Sequence, residues 1–194
     1  MSVTTYISPK YTDNDFPGGP KTLEDKILVF EDRVFGWQLN IAAELMKHDG
    51  DAGFAVLHIV TSYFEMIAMY IHGPGPAGSA EYFKKGARAA FPELDDEHPQ
   101  HVRWFIRSLY RAVRCGLYHQ GMTRVGILLS GDIGAPYEFN DLGPGKHEII
   151  INPKLLTDHL RAHLEDYLKR LRDSANAEAR TNFEAMYDSE LPDD

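Results

Sequence analysis

Cysteine occurs once in the 194 residues, at Cys115, so the chain closes no disulfide on itself, and a lone thiol fits a reducing compartment. Also missing is any uninterrupted apolar run approaching the roughly 20 residues that a bilayer-spanning helix needs. The opening "MSVTTYISPKYTDNDFPGGP" has neither the basic start nor the apolar stretch of a secretory signal. These absences lead to the expectation of a cytoplasmic protein with no membrane partner. Positive charge is in deficit, 20 Lys and Arg against 29 Asp and Glu, for a formal charge of -9. Such a chain repels polyphosphate at long range unless its cations gather on one surface. Phosphate-loop motifs are lacking too: "HGPGPAGS" has no Lys-Ser or Lys-Thr ending, and "LGPGKHE" has neither the Walker spacing nor a helix after it. Both are expected to be turns, and no cofactor is expected.

What is present is enough apolar material, 43% of the residues, for the core of a single domain. Residues 1–20, with Pro9, Pro17, Gly18, Gly19 and Pro20, read as a tail or a partner-dependent arm. Residues 189–194 read as an acidic tail, which leaves one domain over 21–188. Leu23, Ile27, Phe30, Val34, Trp37, Ile41 and Leu45 recur at threes and fours, predicting a long first helix to about His48. Ala52 to Ile71 predicts a central helix capped by Asp51 and apolar on most sides, and Ser79 is placed to cap a shorter helix to about Phe91. Val102, Phe105, Ile106, Leu109, Val113 and Leu117 form one stripe on a helix that Gly121 can end in a left-handed cap.

Val125, Ile127 and Leu129 then alternate, and "EIII" is strongly β-branched. The pattern predicts a hairpin or small sheet at about 123–152, joined by "GDIGAPYEFNDLGPG". Asn152 as cap and Pro153 at the first position start a last helix that buries Leu156, Leu160, Leu164, Tyr167 and Leu171 and continues after a break to Tyr187. The fold class is therefore mainly α: a bundle of about five helices with a β-hairpin or small antiparallel sheet inserted before the C-terminal helix.

Several side chains invite chemistry. His159 and His163 stand four apart and could chelate a metal with Asp166 nearby, but two interfacial histidines on an amphipathic helix are the expected arrangement. His98 and His101 lack a third partner. No metal site is expected. Cys115 follows Arg114, and a cation can activate a thiol; on a core helix the expected role is a small hydrophobe.

Arg103, Arg107, Arg111 and Arg114 make one basic ridge along the helix that ends at His119, the local concentration of positive charge in an acidic chain. The ridge is either a solvated face or an anion contact. Five helical steps separate Arg114 from His119, about 7.5 Å of rise and about 140° of turn. The two converge only if the helix end unwinds or a second copy of the chain supplies its own pair across a two-fold axis. Gly116 costs about 1 kcal/mol inside a helix, which close approach of another helix would offset. On the second helix His58, Ser62 and Glu65 form a polar strip, and Arg114 is the candidate partner of Glu65 if that carboxylate is buried.

"RCGLYHQG", an arginine, four residues and a histidine at the end of a late helix, resembles the mark of the HEPN family in spacing and placement. "SYFE" on the second helix resembles the family's polar or acidic residue facing that motif. The resemblance spans about Leu23 to Leu171. It departs at Cys115, where catalytic members often carry asparagine or another polar residue, and in the added β segment. It implies a HEPN-like bundle and a metal-independent endoribonuclease working as a homodimer in toxin-antitoxin, defence or RNA-processing systems, with RNA as substrate and an antitoxin-like protein as a partner. His119 would be the general acid or base and Arg114 the phosphate ligand. Glu65, Cys115 and Tyr118 would support them, and Arg107 and Arg111 would contact RNA. Other members are non-catalytic dimerisation, scaffold or nucleotide-binding modules, in which the same residues would form a polar cluster at an interface.

Overall fold

The computed structural model describes residues 4–48, 52–143 and 147–190. The expected cap Asp51 lies outside them. Helix α1 (Leu23–Val34) starts at a capping box: the Thr22 hydroxyl accepts from the Asp25 amide at 3.1 Å, and the Asp25 carboxylate accepts from the Thr22 amide at 3.3 Å. A π-helical turn, Phe35–Leu39, carries it without a break into α2 (Asn40–His48). The predicted apolar stripe holds through Ile27, Phe30 and Val34 and then fails, since Trp37 is 50% exposed and Ile41 48%. The π turn takes up an extra residue and rotates the helix beyond it, so Leu39 and Ala42 are buried instead.

The core is organised around α3 (Gly53–His72), which packs on α2, α4, α7 and α8. By length and hydropathy alone α3 would cross a membrane, yet half of its apolar window is buried inside the fold, as in a core helix. Helix α4 (Ser79–Ala90) lies very close to α3: a Cβ on Gly86 would stand 1.7 Å from the Phe64 carbonyl oxygen. Gly78, not Ser79, occupies the cap position of α4. Ser79 is the first helical residue, and its hydroxyl is turned to another task. A 3-10 turn, Pro92–Asp96, leads to α5 (Pro99–Ser108), where His98 Nδ1 accepts from the Gln100 amide at 3.3 Å. A second π turn, Leu109–Arg114, joins α5 to α6 (Cys115–Gln120). The buried stripe from Val102 to Leu117 holds here, because its steps 109, 113 and 117 suit the wider turn.

Gly121 ends α6 with φ 71° and ψ 5°, the left-handed cap expected of it. The chain then doubles back, and the Arg124 amide donates to the Ala112 carbonyl at 2.9 Å. The returning segment explains Gly116. A Cβ there would be 2.8 Å from the Met122 carbonyl oxygen, so the close neighbour is the chain's own return rather than a second helix.

The β segment is a three-stranded sheet of order β1-β3-β2, from Ile127–Leu129, Tyr137–Asp141 and His147–Ile151. It is mixed, not antiparallel: β2 and β3 pair as antiparallel neighbours, while β1 runs parallel to β3 with Ile127 opposite Ile149. The connecting segment expected to be loop contributes β2, and its return strand leaves β1 only the far edge of β3. Asn152 caps α7 (Pro153–Arg172) by accepting from the Leu155 amide at 3.1 Å. Leu156, Leu160, Leu164, Tyr167 and Leu171 are buried as expected, and α8 (Ala177–Ser189) comes next. With α1–α2 and α5–α6 each continuous, the described residues form six helical rods, one more than about five.

Residues 4–20 do not hang as a tail. Asp32, 9% exposed on α1, accepts from Ser8 Oγ at 2.7 Å and from the Lys10 amide at 2.8 Å. Arg33 Nε donates to the Ile7 carbonyl at 2.6 Å, and the Pro9 ring fills the space beside Gly36 in the first π turn.

Candidate functional site

Arg114 stands at the junction of the second π turn and α6. Its Nη2 donates to Glu65 Oε2 at 3.3 Å and to Ser79 Oγ at 3.5 Å, so α3, α4 and the π turn meet at one guanidinium. The two charged side chains are 28% and 25% exposed, partly desolvated but open to water. Of the expected polar strip only Glu65 does this. His58 and Ser62 are exposed, and Ser62 Oγ donates to the Ile59 carbonyl of its own helix.

His119 is exposed on the last turn of α6, and among the described residues no hydrogen bond joins it to Arg114. The two share a neighbour, Tyr118: its ring lies 5.2 Å from the Arg114 guanidinium carbon and 5.2 Å, edge-on, from the His119 ring. The rise and turn between the residues thus separate them, and one aromatic ring spans the gap. Cys115 is a half-buried free thiol at the start of α6. What the arrangement offers is a fixed cation with guanidinium donors to spare, next to an accessible imidazole.

The arginine ridge divides. Arg103, Arg107 and Arg111 line a groove of about 520 Å³, and Arg114 is not among its walls. The opposite wall comes from α4, with Ala80, Lys84 and Arg88, and Ile106 and Tyr110 complete the lining. Tyr110 connects groove and motif, since the Arg114 guanidinium carbon lies 6.0 Å from its ring. As site residues, Ser79, Lys84 and Arg88 escape a reading of the sequence. The signal that would have found the last two is the spacing of Ala80, Lys84 and Arg88 on one face of a short helix.

The paired histidines of α7 face inward. His159 Nε2 lies 2.6 Å from the Ala90 carbonyl oxygen, with its ring stacked on Phe91, and His163 Nδ1 lies 2.7 Å from the buried Tyr63 hydroxyl. Both are interfacial, as expected. His101 stacks on Phe139 of the sheet.

Comparison with protein-family models, with characterised proteins and with solved structures finds no match to this chain.

Proposed function

We propose that the chain is a HEPN-like, metal-independent endoribonuclease that acts as a homodimer, in a toxin-antitoxin, defence or RNA-processing setting. The observation that carries this reading is the setting of Arg114: held by Glu65 and Ser79, and joined through the Tyr118 ring to an exposed His119. In the proposed reaction the RNA 2′-hydroxyl attacks its own phosphorus, the 5′-oxygen leaves, and a cyclic phosphate remains. His119 takes or gives the proton, and Arg114 holds the non-bridging oxygens with donors that Glu65 and Ser79 do not use. Arg107 and Arg111 lie in the adjoining groove, where a strand would find cations, and a second protomer would bring its own pair to a composite site.

Purified protein is expected to cut single-stranded RNA in EDTA and leave cyclic phosphate ends, and His119→Ala is expected not to. Equal cutting by both preparations would mark a contaminant and remove the catalytic claim. One observation favours a second reading, a non-catalytic dimerisation or scaffold module: Glu65 already counters the charge of Arg114. The melting temperature separates the two. An exposed catalytic His119 leaves it unchanged on substitution, whereas a histidine packed between protomers lowers it or shifts the monomer–dimer balance.

A further inference from the structure

The groove between α4 and α5 concentrates charge that the rest of the molecule does not explain. Phe83 of α4 meets Tyr110, and Phe91 beyond its end meets Phe105, so α4 and α5 run antiparallel. Lys84 and Arg88 on one side therefore face Arg103, Arg107 and Arg111 on the other. Within each row the cations recur every four residues, about 6 Å apart along the axis where the helix is α, with Arg111 one step on in the π turn. All five are exposed, and none of the lining residues is acidic. Only Arg88 has a carboxylate partner among the described residues, Asp95 at 3.2 Å, in a pair 49% and 73% exposed and so weakly coupled.

Like charges four apart on a helix repel by a few tenths of a kcal/mol, and rows facing across a groove add to that cost. With carboxylates outnumbering cations 29 to 20, the chain has ample acid to relieve it, yet the groove contains none. Four of the five cations are arginines, whose planar fork matches phosphate oxygens two at a time.

We propose that this groove is a binding site for a compact, multiply phosphorylated small molecule. The groove's volume, about 520 Å³, lies within the roughly 300–1,000 Å³ of small-molecule sites and suits a compact ligand. At about 0.1 M salt the field reaches about 10 Å, so a ligand contained in the groove meets all five of its cations. Ile106 and the half-buried Tyr110 supply an apolar and aromatic patch for whatever non-phosphate part the ligand carries. The site requires neither Arg114 nor His119 and stands whether or not the chain cleaves RNA.

The experiment is titration calorimetry of the full chain with inorganic tripolyphosphate, ATP, orthophosphate and a 20-mer single-stranded RNA. It is repeated on Arg103→Gln/Arg107→Gln and, as a surface control outside the groove, on Arg124→Gln. Circular dichroism checks that both variants fold, as expected for exposed positions. Tripolyphosphate and ATP are expected to bind one per chain, at least about tenfold tighter than orthophosphate. The double variant is expected to weaken both by about tenfold or more, and Arg124→Gln to leave them unchanged. Equal affinity for tripolyphosphate and ATP would assign the binding to the phosphate chain alone, while tighter ATP binding, lost in Tyr110→Ala, would add the ring. The proposal is overturned by absence of binding, by equal weakening in the Arg124→Gln control, or by binding of the 20-mer without either compact probe.

Discussion

His163 illustrates at the residue scale how burial turns a metal-ligand candidate into a structural group. Burial raises the Tyr63 hydroxyl well above its ordinary range, so it stays protonated and donates to Nδ1 of a neutral imidazole. Burial first, then Arg170 and His159, lowers His163 to about 4 from an ordinary 6.5, against smaller opposing effects of the Ala89 backbone and Asp166. The folded pKa is depressed. The unfolded chain therefore takes up the proton below about 6.5 while the folded chain resists it until about 4, and stability present above that window is lost as pH falls through it, by up to about 1.4 kcal/mol per pH unit. Urea unfolding at several pH values should show the margin of wild type over His163→Asn shrinking from pH 6.5 to 4. A constant margin across that range would mean the ring is not held neutral. The histidine spacing is visible in the sequence; the tyrosine that occupies one of the pair lies 100 residues away.

At the element scale, two glycines inside helices are fixed by neighbours of different kinds. Gly116 stands out in the sequence, and its neighbour is the turn directly after it. Gly86 carries no sequence signal, since "KKGARAA" reads as an ordinary helix in which alanine would be better by about 1 kcal/mol. A Cβ there would stand 1.7 Å from the Phe64 carbonyl oxygen, which reverses that preference, because backbone cannot yield as a side-chain end does. Gly86→Ala is expected to destabilise the fold by about 1–3 kcal/mol in urea unfolding, while Gly134→Ala, where nothing lies within 4 Å, should change little. A neutral Gly86→Ala would mean that α3 and α4 are not in such close contact. The π turns are similarly silent in the sequence. A run of apolar residues at threes and fours tolerates one inserted residue, and only packing decides where the insertion falls and which side chains, Leu39 and Ala42 in place of Trp37 and Ile41, end up inside.

For the molecule as a whole, the Pro- and Gly-rich residues 4–20 belong to the packed body. Their composition favours irregular backbone, and irregular backbone still docks where specific partners exist. Here those partners are a carboxylate buried on α1 and a proline-sized space beside Gly36. Deleting residues 1–20 removes the Ser8 and Lys10 donors and opens Asp32 to water, so what is lost is the net contribution of hydrogen bonds to a charged acceptor, about 1.5–3 kcal/mol. The truncated chain is expected to keep its helical circular dichroism and to unfold at lower urea by roughly that amount. Unchanged stability would return the segment to the status of a free arm.

The sequence alone determined the helical character, the stripe that buries Val102 to Leu117, the Asn152-Pro153 start and the left-handed stop at Gly121. Each rests on periodicity or on a cap a few residues long. Tertiary structure decided the phase of α2, the parallel placement of β1, the docking of residues 4–20 and the gathering of two separate rows of cations into one groove. These depend on which surfaces meet across long stretches of chain, and that is set by the shape of the packed core, which local spacing does not encode.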